Sequence, residues 1–306
     1  MKYNFLKLLN YPLKKTWWYE STYGDAVKMK NWNTYGLDLV NLGSSSPKFA
    51  CDYSNLEIKA ANWAMAPQGL INDLAILKNY HSFIKENGFV VVLQICPFNL
   101  MTGEKKRKGY YDKYHYFLSP VLIKCFSRQT QKKICRMIDY PLLGSPKVAI
   151  KAIVKKMLGK DKACYLNAET DAKRRINSWK KQFLIESFSD PLSEEHLNAI
   201  KYNVNLLYEI IEFCRERSLK PVLGIMPATK TLKEHIPEDF MQRAFYDAVE
   251  KVKEDTGILF LDYYRSTEFE NDDLYLDSFL MNKKGRELFT QRMLTDLGIT
   301  NKGAKI

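Results

Sequence analysis

No run in this chain approaches the roughly 20 consecutive apolar residues that a membrane-crossing helix needs, so a protein integral to a membrane is not expected. The six cysteines, Cys51, Cys96, Cys125, Cys135, Cys164 and Cys214, include no C-x-x-C pair. That argues against a zinc ribbon or a disulfide framework and makes a reducing cytoplasm the simplest compartment. There is no G-x-G-x-x-G, no Walker loop and no His/Cys cluster with ligand spacing, so neither a nucleotide nor a metal nor any other cofactor is expected. Met1 to Trp18 mixes lysines with aromatics and lacks both an uninterrupted apolar core and a small-residue cleavage site, so no secretory signal is read there. No Gly/Ser/Pro-rich linker, internal repeat or low-complexity tract divides the chain.

What is present is ordinary for a globular protein: 306 residues, 46% hydrophobic and 27% charged, enough to bury one large core, with or without an insertion. The net charge of +12 is unevenly placed. Residues 101–182 carry 21 Lys and Arg against 6 Asp and Glu, so the remainder is slightly acidic. A single domain over 1–306, with a basic and mainly helical insertion over 101–182, accounts for this distribution.

Leu37 to Leu42 alternates apolar and polar residues before Gly43-Ser44-Ser45-Ser46-Pro47, the pattern of a buried strand entering a tight turn. Ile58 to Trp63 is a second short strand. A helix with Leu70, Leu74, Leu77 and Ile84 on one face follows, and Gly88 is its expected stop. Phe89 to Cys96 is nearly all apolar, as for a strand covered on both faces. Beyond the basic segment, Ser193 with His196 opens a helix running through Cys214. Pro221–Met226 is a strand, Phe240–Glu254 a helix and Ile258–Asp262 a fifth strand. Strands and helices alternating in this way imply a doubly wound, mostly parallel five-stranded sheet with helices on both faces, whose ligands sit at the carboxyl ends of the strands.

Three blocks of residues carry a resemblance. They are Asn41-Leu42-Gly43-Ser44-Ser45 after the first strand, Asn62 to Leu70 with Asp73 and Ile76-Leu77-Lys78 after the second, and Tyr275 to Gly285 before the last helix. Together they resemble the SGNH (GDSL-like) hydrolase superfamily, particularly the acyltransferase-like proteins of bacterial surface-polysaccharide and teichoic-acid gene clusters. The likeness is close over about 40 residues, and the strand order extends it to most of the chain outside 101–182. It implies a flavodoxin-like SGNH fold and an acyl-serine mechanism. A serine attacks only when a base takes its proton and a third group orients that base. Residue by residue, Ser45 matches the nucleophile and Asp277 the orienting carboxylate of a terminal D-x-x-H block, but the base position holds Leu280, which cannot accept a proton.

The four histidines, His81, His115, His196 and His235, lie far from Asp277 in sequence, and a surface or capping role is the simpler reading of each. His115, within a Tyr-rich stretch, is the one an inserted segment could fold back over the site. The resemblance further implies an asparagine side chain in the oxyanion hole. Asn99, just past the third strand, stands about there, with turn formation as its alternative. Gln68 and Asn62 are the other candidate substrate contacts, against local turn bonding.

Within the insertion, Lys105-Lys106-Arg107-Lys108 reads as a solvated run. Pro146 to Lys160 reads as a cationic amphipathic helix, with Ile150, Ile153, Val154, Met157 and Leu158 on one face and Lys147, Lys151, Lys155, Lys156 and Lys160 on the other. Such a helix caps a core or lies on anionic headgroups. With Lys173, Arg174 and Arg175 it is a candidate for holding an acidic glycan, a lipid-linked substrate or the inner face of the membrane. Nucleic acid is a poorer partner, because no recognised module accompanies the charge. Three readings follow: a serine esterase or O-acyltransferase acting on a carbohydrate hydroxyl, a catalytically degenerate member that binds a glycan or a polysaccharide-synthesis partner without turnover, or a structural α/β protein of unrelated ancestry.

Overall fold

The computed structural model describes residues 10–93, 96–103 and 112–299; Lys105-Lys106-Arg107-Lys108 lies outside them. Five strands form one all-parallel sheet: β1 (Leu37–Leu42), β2 (Ala60–Asn62), β3 (Ile84–Val92), β4 (Lys220–Ile225) and β5 (Leu259–Asp262), in the order β2-β1-β3-β4-β5. This is the doubly wound α/β architecture. The order reverses between β1 and β3, so the connections that leave their carboxyl ends run to opposite sides of the sheet.

Parallel neighbours need long crossovers, and these are the Leu70–Tyr80, Glu194–Arg215 and Asp247–Thr256 helices, with Lys283–Asp296 following β5. The Glu194–Arg215 helix opens as its sequence suggests. The Ser193 hydroxyl accepts from the His196 N–H, while the His196 ring accepts from the Ser193 N–H. Leu39, Val91, Val222 and Leu261 of the sheet pack with Phe269, Phe289 and Met293 to form the core over one face.

The Leu70–Tyr80 helix stops earlier than its apolar spacing implies. Ile84 begins β3 opposite Leu37, and the next paired residue is Phe89 opposite Leu39, so residues 85–88 bulge from the ladder. Gly88 is therefore inside a strand. A side chain there would collide with Ile84 and with the Lys85 and Leu37 carbonyls, so its small size serves packing and not helix termination.

The last helix explains a second glycine. Asn282 caps it, its Oδ1 accepting from the Gly285 N–H at 3.1 Å while its amide donates to the Asp273 carbonyl at 2.7 Å. The cap draws the helix so close to the preceding turn that a Cβ on Gly285 would overlap the Leu274 carbonyl oxygen. Gly285→Ala is expected to cost about 2 kcal/mol in urea unfolding, the scale of overpacking against backbone that cannot move aside, whereas Lys284→Ala at the neighbouring exposed position should be nearly neutral. Equal midpoints for the two variants would show that the helix end yields.

The chain divides into two compact units, residues 1–33 with 107–164 and residues 34–106 with 165–306. The expected boundaries of one domain with an insertion over 101–182 are thereby redrawn. The Ala168–Phe183 helix belongs to the sheet unit, and the N-terminal segment belongs with the basic helices. In the smaller unit the Tyr19 hydroxyl donates to the Ile138 carbonyl at 2.9 Å, the Leu142 N–H donates to Asn10 at 2.9 Å, and Lys30 sits 3.8 Å from the Tyr116 ring centroid. Contacts between residues more than 80 apart could not be foreseen from local pattern. Among the described residues no helix is long and apolar enough to cross a membrane.

Candidate functional site

β1 leaves the sheet through Gly43, whose φ of 136° suits a residue without a Cβ. The turn passes Ser44 and places Ser45 at the first position of the Ser45–Ala50 helix, half-exposed, at the switch-point end of the sheet. Asn41, fully buried at the end of β1, donates to Asn62 Oδ1 at 3.0 Å and accepts from the Tyr53 hydroxyl at 2.8 Å. Asn62 in turn donates to the Pro47 and Cys51 carbonyls at 3.1 and 2.9 Å. The Met65 N–H reaches the Gly43 carbonyl at 3.0 Å, and the Gln68 N–H reaches the Ser44 hydroxyl at 3.3 Å. The first two sequence blocks are thus laced into one structure.

That lacing reassigns two residues. The Asn62 amide holds carbonyls at the end of the serine helix. Gln68 is completely buried, and its amide donates to Asp73. Both amides are engaged within the fold, as the alternative of local turn bonding anticipates. Asp73 is itself fully buried beneath the turn; burial pushes its carboxyl up to about 8, against the opposing pull of the Gln68 amide and the Gly43 N–H. It is protonated over most of the neutral range. Asn99 sits in the short Pro97–Leu100 helix just beyond β3, half-buried at the carboxyl edge.

The third block comes to the same unit through the last helix. Arg286 Nε donates to the Phe49 carbonyl at 3.1 Å, and the Thr290 hydroxyl bridges the Ala50 carbonyl and the Asp52 N–H at 3.2 and 3.0 Å. Tyr165 lies close enough to feel both the Asp277 and Arg286 charges. Yet Asp277 and Ser45 are not joined. Asp277 Oδ1 accepts from the Phe279 and Leu280 N–H groups at 2.9 and 2.8 Å, and its Oδ2 faces the Arg175 guanidinium at 3.3 Å. Among the described residues the Ser45 hydroxyl has no hydrogen-bond partner.

Arg175 comes from the Ala168–Phe183 helix, which sequence reading placed in the basic insertion. Asp171, one turn earlier, is buried and receives Arg175 at 2.8 and 3.0 Å, Arg174 at 2.5 Å, and the Ser278 hydroxyl and N–H at 2.6 and 3.3 Å. Burial works to raise the Asp171 carboxyl, but the bonds from Ser278 and Arg174 and the charge of Arg175 outweigh it and hold it below the usual carboxylate range. One turn later Trp179 stacks on Phe98 at 4.3 Å and meets the edge of Phe279 at 5.9 Å. Arg175 lies 4.8 Å from the Phe279 centroid. Asp171, Arg175 and Trp179 recur at four-residue spacing on one face, the signal that could have separated this helix from its solvated basic neighbours. Arg175 is therefore committed inside the fold and is not a free glycan contact; Arg174 remains mostly exposed.

The histidines have other work. His196 completes its capping box and donates Nε2–H to the Phe183 carbonyl at 2.6 Å. His81 bonds the Lys78 carbonyl. In the smaller unit the buried His115 bonds the Asp112 carbonyl through Nδ1, accepts the Ser127 N–H at Nε2 and stacks on Phe126. His235 lies half-buried after the Lys230–Lys233 helix.

Ser45, Asn99, Trp179, Phe279 and Leu280 are half-exposed, and the Asp277 carboxylate is paired with Arg175. A depression lined by Asp38, Glu57, Lys85, Glu86 and Phe89 lies at the opposite end of the sheet, where Asp38 pairs with Lys85. Among the described residues no group of three His, Cys, Asp or Glu side chains could hold a metal ion. Comparison of the chain with protein-family models found no match, and a search of curated proteins likewise found none similar to it.

Proposed function

We propose that the sheet unit is an SGNH-type fold that has kept its pocket and given up its chemistry, binding a surface glycan or a polysaccharide-synthesis partner without turnover. The supporting observation is the Arg175–Asp277 pair. In an acyl-serine mechanism that carboxylate orients a neutral base, which then takes the serine proton. An arginine side chain keeps its charge at any physiological pH and accepts no proton, and the neighbouring base position is Leu280. The alternative from the sequence, an esterase or O-acyltransferase working through acyl-Ser45, would need a base that none of the four histidines supplies in the arrangement described.

The ligand class follows from the half-exposed groups. Trp179 and Phe279 offer flat apolar faces, and Asn99 and Ser45 offer short polar groups, a combination suited to the alternating apolar and hydroxylated faces of a sugar ring. Assembly of such glycans on lipid carriers places the protein in the cytoplasm, peripheral at the inner face of the membrane.

Incubation with a fluorophosphonate probe is the decisive measurement. No Ser45-dependent labelling is expected, and Ser45→Ala should still bind the glycans that the wild type selects on an array, weakened at most by the loss of one hydroxyl contact. Labelling that disappears in Ser45→Ala would overturn the non-catalytic reading and restore the esterase.

A further inference from the structure

The smaller unit is charged and apolar on its outside at once. Residues 1–33 and 107–164 hold 20 Lys and Arg against 5 Asp and Glu, while the rest of the chain is mildly acidic. This unit is less than a third of the chain, yet among the described residues it contains 9 of the 15 large hydrophobic side chains that stay exposed. The two facts meet on the Pro146–Met157 helix. An ordinary surface helix turns its apolar stripe inward. Here the inward side is the small pair Ala149 and Ala152. Ile150, Val154 and Met157 share the opposite side at helical spacing, 55%, 48% and 81% exposed, and Leu158 continues it at 64%. Lys147 and Lys151, both exposed, flank that stripe. Ile153 is half-buried, so the covered side of the helix is narrow.

We propose that this face docks on an anionic lipid bilayer, lying in the interface with Ile150, Val154, Met157 and Leu158 dipped among the acyl chains and the lysines spread among the headgroups. Aliphatic tips beside lysines suit that boundary, since a lysine can run its methylene stem along the apolar layer and keep its ammonium at the phosphates. Exposed Trp17 and Tyr11 in the same unit are the residue types that settle at such a boundary. A polyanion such as nucleic acid would use the lysines and leave the aliphatic stripe in water, and a second copy of this unit would bring like charges together. Charge complementarity therefore favours lipid over both. The inference rests on the membrane placement proposed above and not on the chemistry at Ser45.

The test is co-sedimentation of the full chain with phosphatidylcholine vesicles with and without phosphatidylglycerol. Two variants are compared, one with Lys147, Lys151, Lys155 and Lys160 changed to Gln and one carrying Ile150→Ser, Val154→Ser and Met157→Ser. All these side chains are exposed, so unchanged melting curves serve as the control for folding. The wild type should pellet with the phosphatidylglycerol vesicles, and each variant should bind about tenfold more weakly or less. Wild type that stays in the supernatant overturns the proposal. So does a serine variant that binds like the wild type, which points to a polyanion site, or a wild-type dimer that the serine changes dissolve, which points to self-association. Fluorophosphonate labelling could overturn the non-catalytic reading while lipid binding stands, and the reverse.

Discussion

Asp171→Ala is expected to lower the unfolding free energy by about 3 kcal/mol, the cost of removing one partner from a buried ionic network. The carboxylate is 1% exposed and receives two arginines and both polar groups of Ser278. Without it, the Ser278 hydroxyl loses its acceptor and the Arg175 guanidinium, only 17% exposed, keeps Asp277 alone. The effect should divide by burial. Arg174→Ala removes an exposed partner and should cost under about 1 kcal/mol, while Arg175→Ala, which takes from two buried carboxylates the guanidinium they share, should approach the loss in Asp171→Ala. The pH dependence has a definite sign. A carboxyl held below its unfolded value stabilises above that value, and the stabilisation disappears as pH falls through the folded one. The gap between wild type and Asp171→Ala should therefore be full at neutral pH and close only below about pH 4. Urea midpoints that place Asp171→Ala level with Arg174→Ala would mean the network is a surface arrangement without structural weight.

Asp73→Asn should act in the opposite direction. The Asp73 carboxyl is fully buried behind the serine turn, and desolvation pushes it up to about 8 from about 3.9 in the unfolded chain. Between those values the folded protein holds a proton that the unfolded chain has released. Raising pH therefore weakens the wild type, and the contribution present below pH 4 is lost by the time pH passes 8. Asparagine mimics the protonated acid and does not titrate. The stability of Asp73→Asn relative to the wild type should climb by about 1.4 kcal/mol per pH unit across that window and flatten above it. Because Gln68 links Asp73 to the loop that meets Ser44, the protection of the Gly43–Ser45 amides relative to intrinsic exchange should fall with pH in the wild type only. Parallel stability curves for the two proteins would show that the carboxyl is ionised in the fold.

These expectations bear on how far the chain could be read without its structure. The serine turn was legible because its causes are local: apolar alternation in β1, then Gly43 where a side chain would be strained. Asn282 and Gly285 stand in a block that the sequence places only before the last helix; the cap and the close approach to Leu274 belong to the structure. Gly88 was misread because a glycine after an apolar stretch ends a helix or relieves a bulge equally well, and the choice rests on a strand pairing with Leu37. In the sequence, Asn62 and Gln68 suit a ligand contact or local turn bonding equally, because their amides are polar and lie near the turn. Only the positions of the Pro47 and Cys51 carbonyls and of Asp73 show that those amides are already engaged.

Arg175 marks the limit most clearly. In sequence it is one of 21 basic residues in a charged stretch, and charge alone says water. Its pairing with Asp277, 102 positions away, depends on the Ala168–Phe183 helix packing with the sheet unit and not with the basic helices before it. The sequence by itself determined the alternating strands and helices and the place of the turn after β1, because each is set by side chains within a few residues. The tertiary structure alone decided that the Asp277 carboxylate has an arginine for its partner and that the aliphatic stripe of the Pro146–Met157 helix faces outward. Burial and charge pairing are properties of what lies across space, and no local pattern encodes which distant surface will arrive.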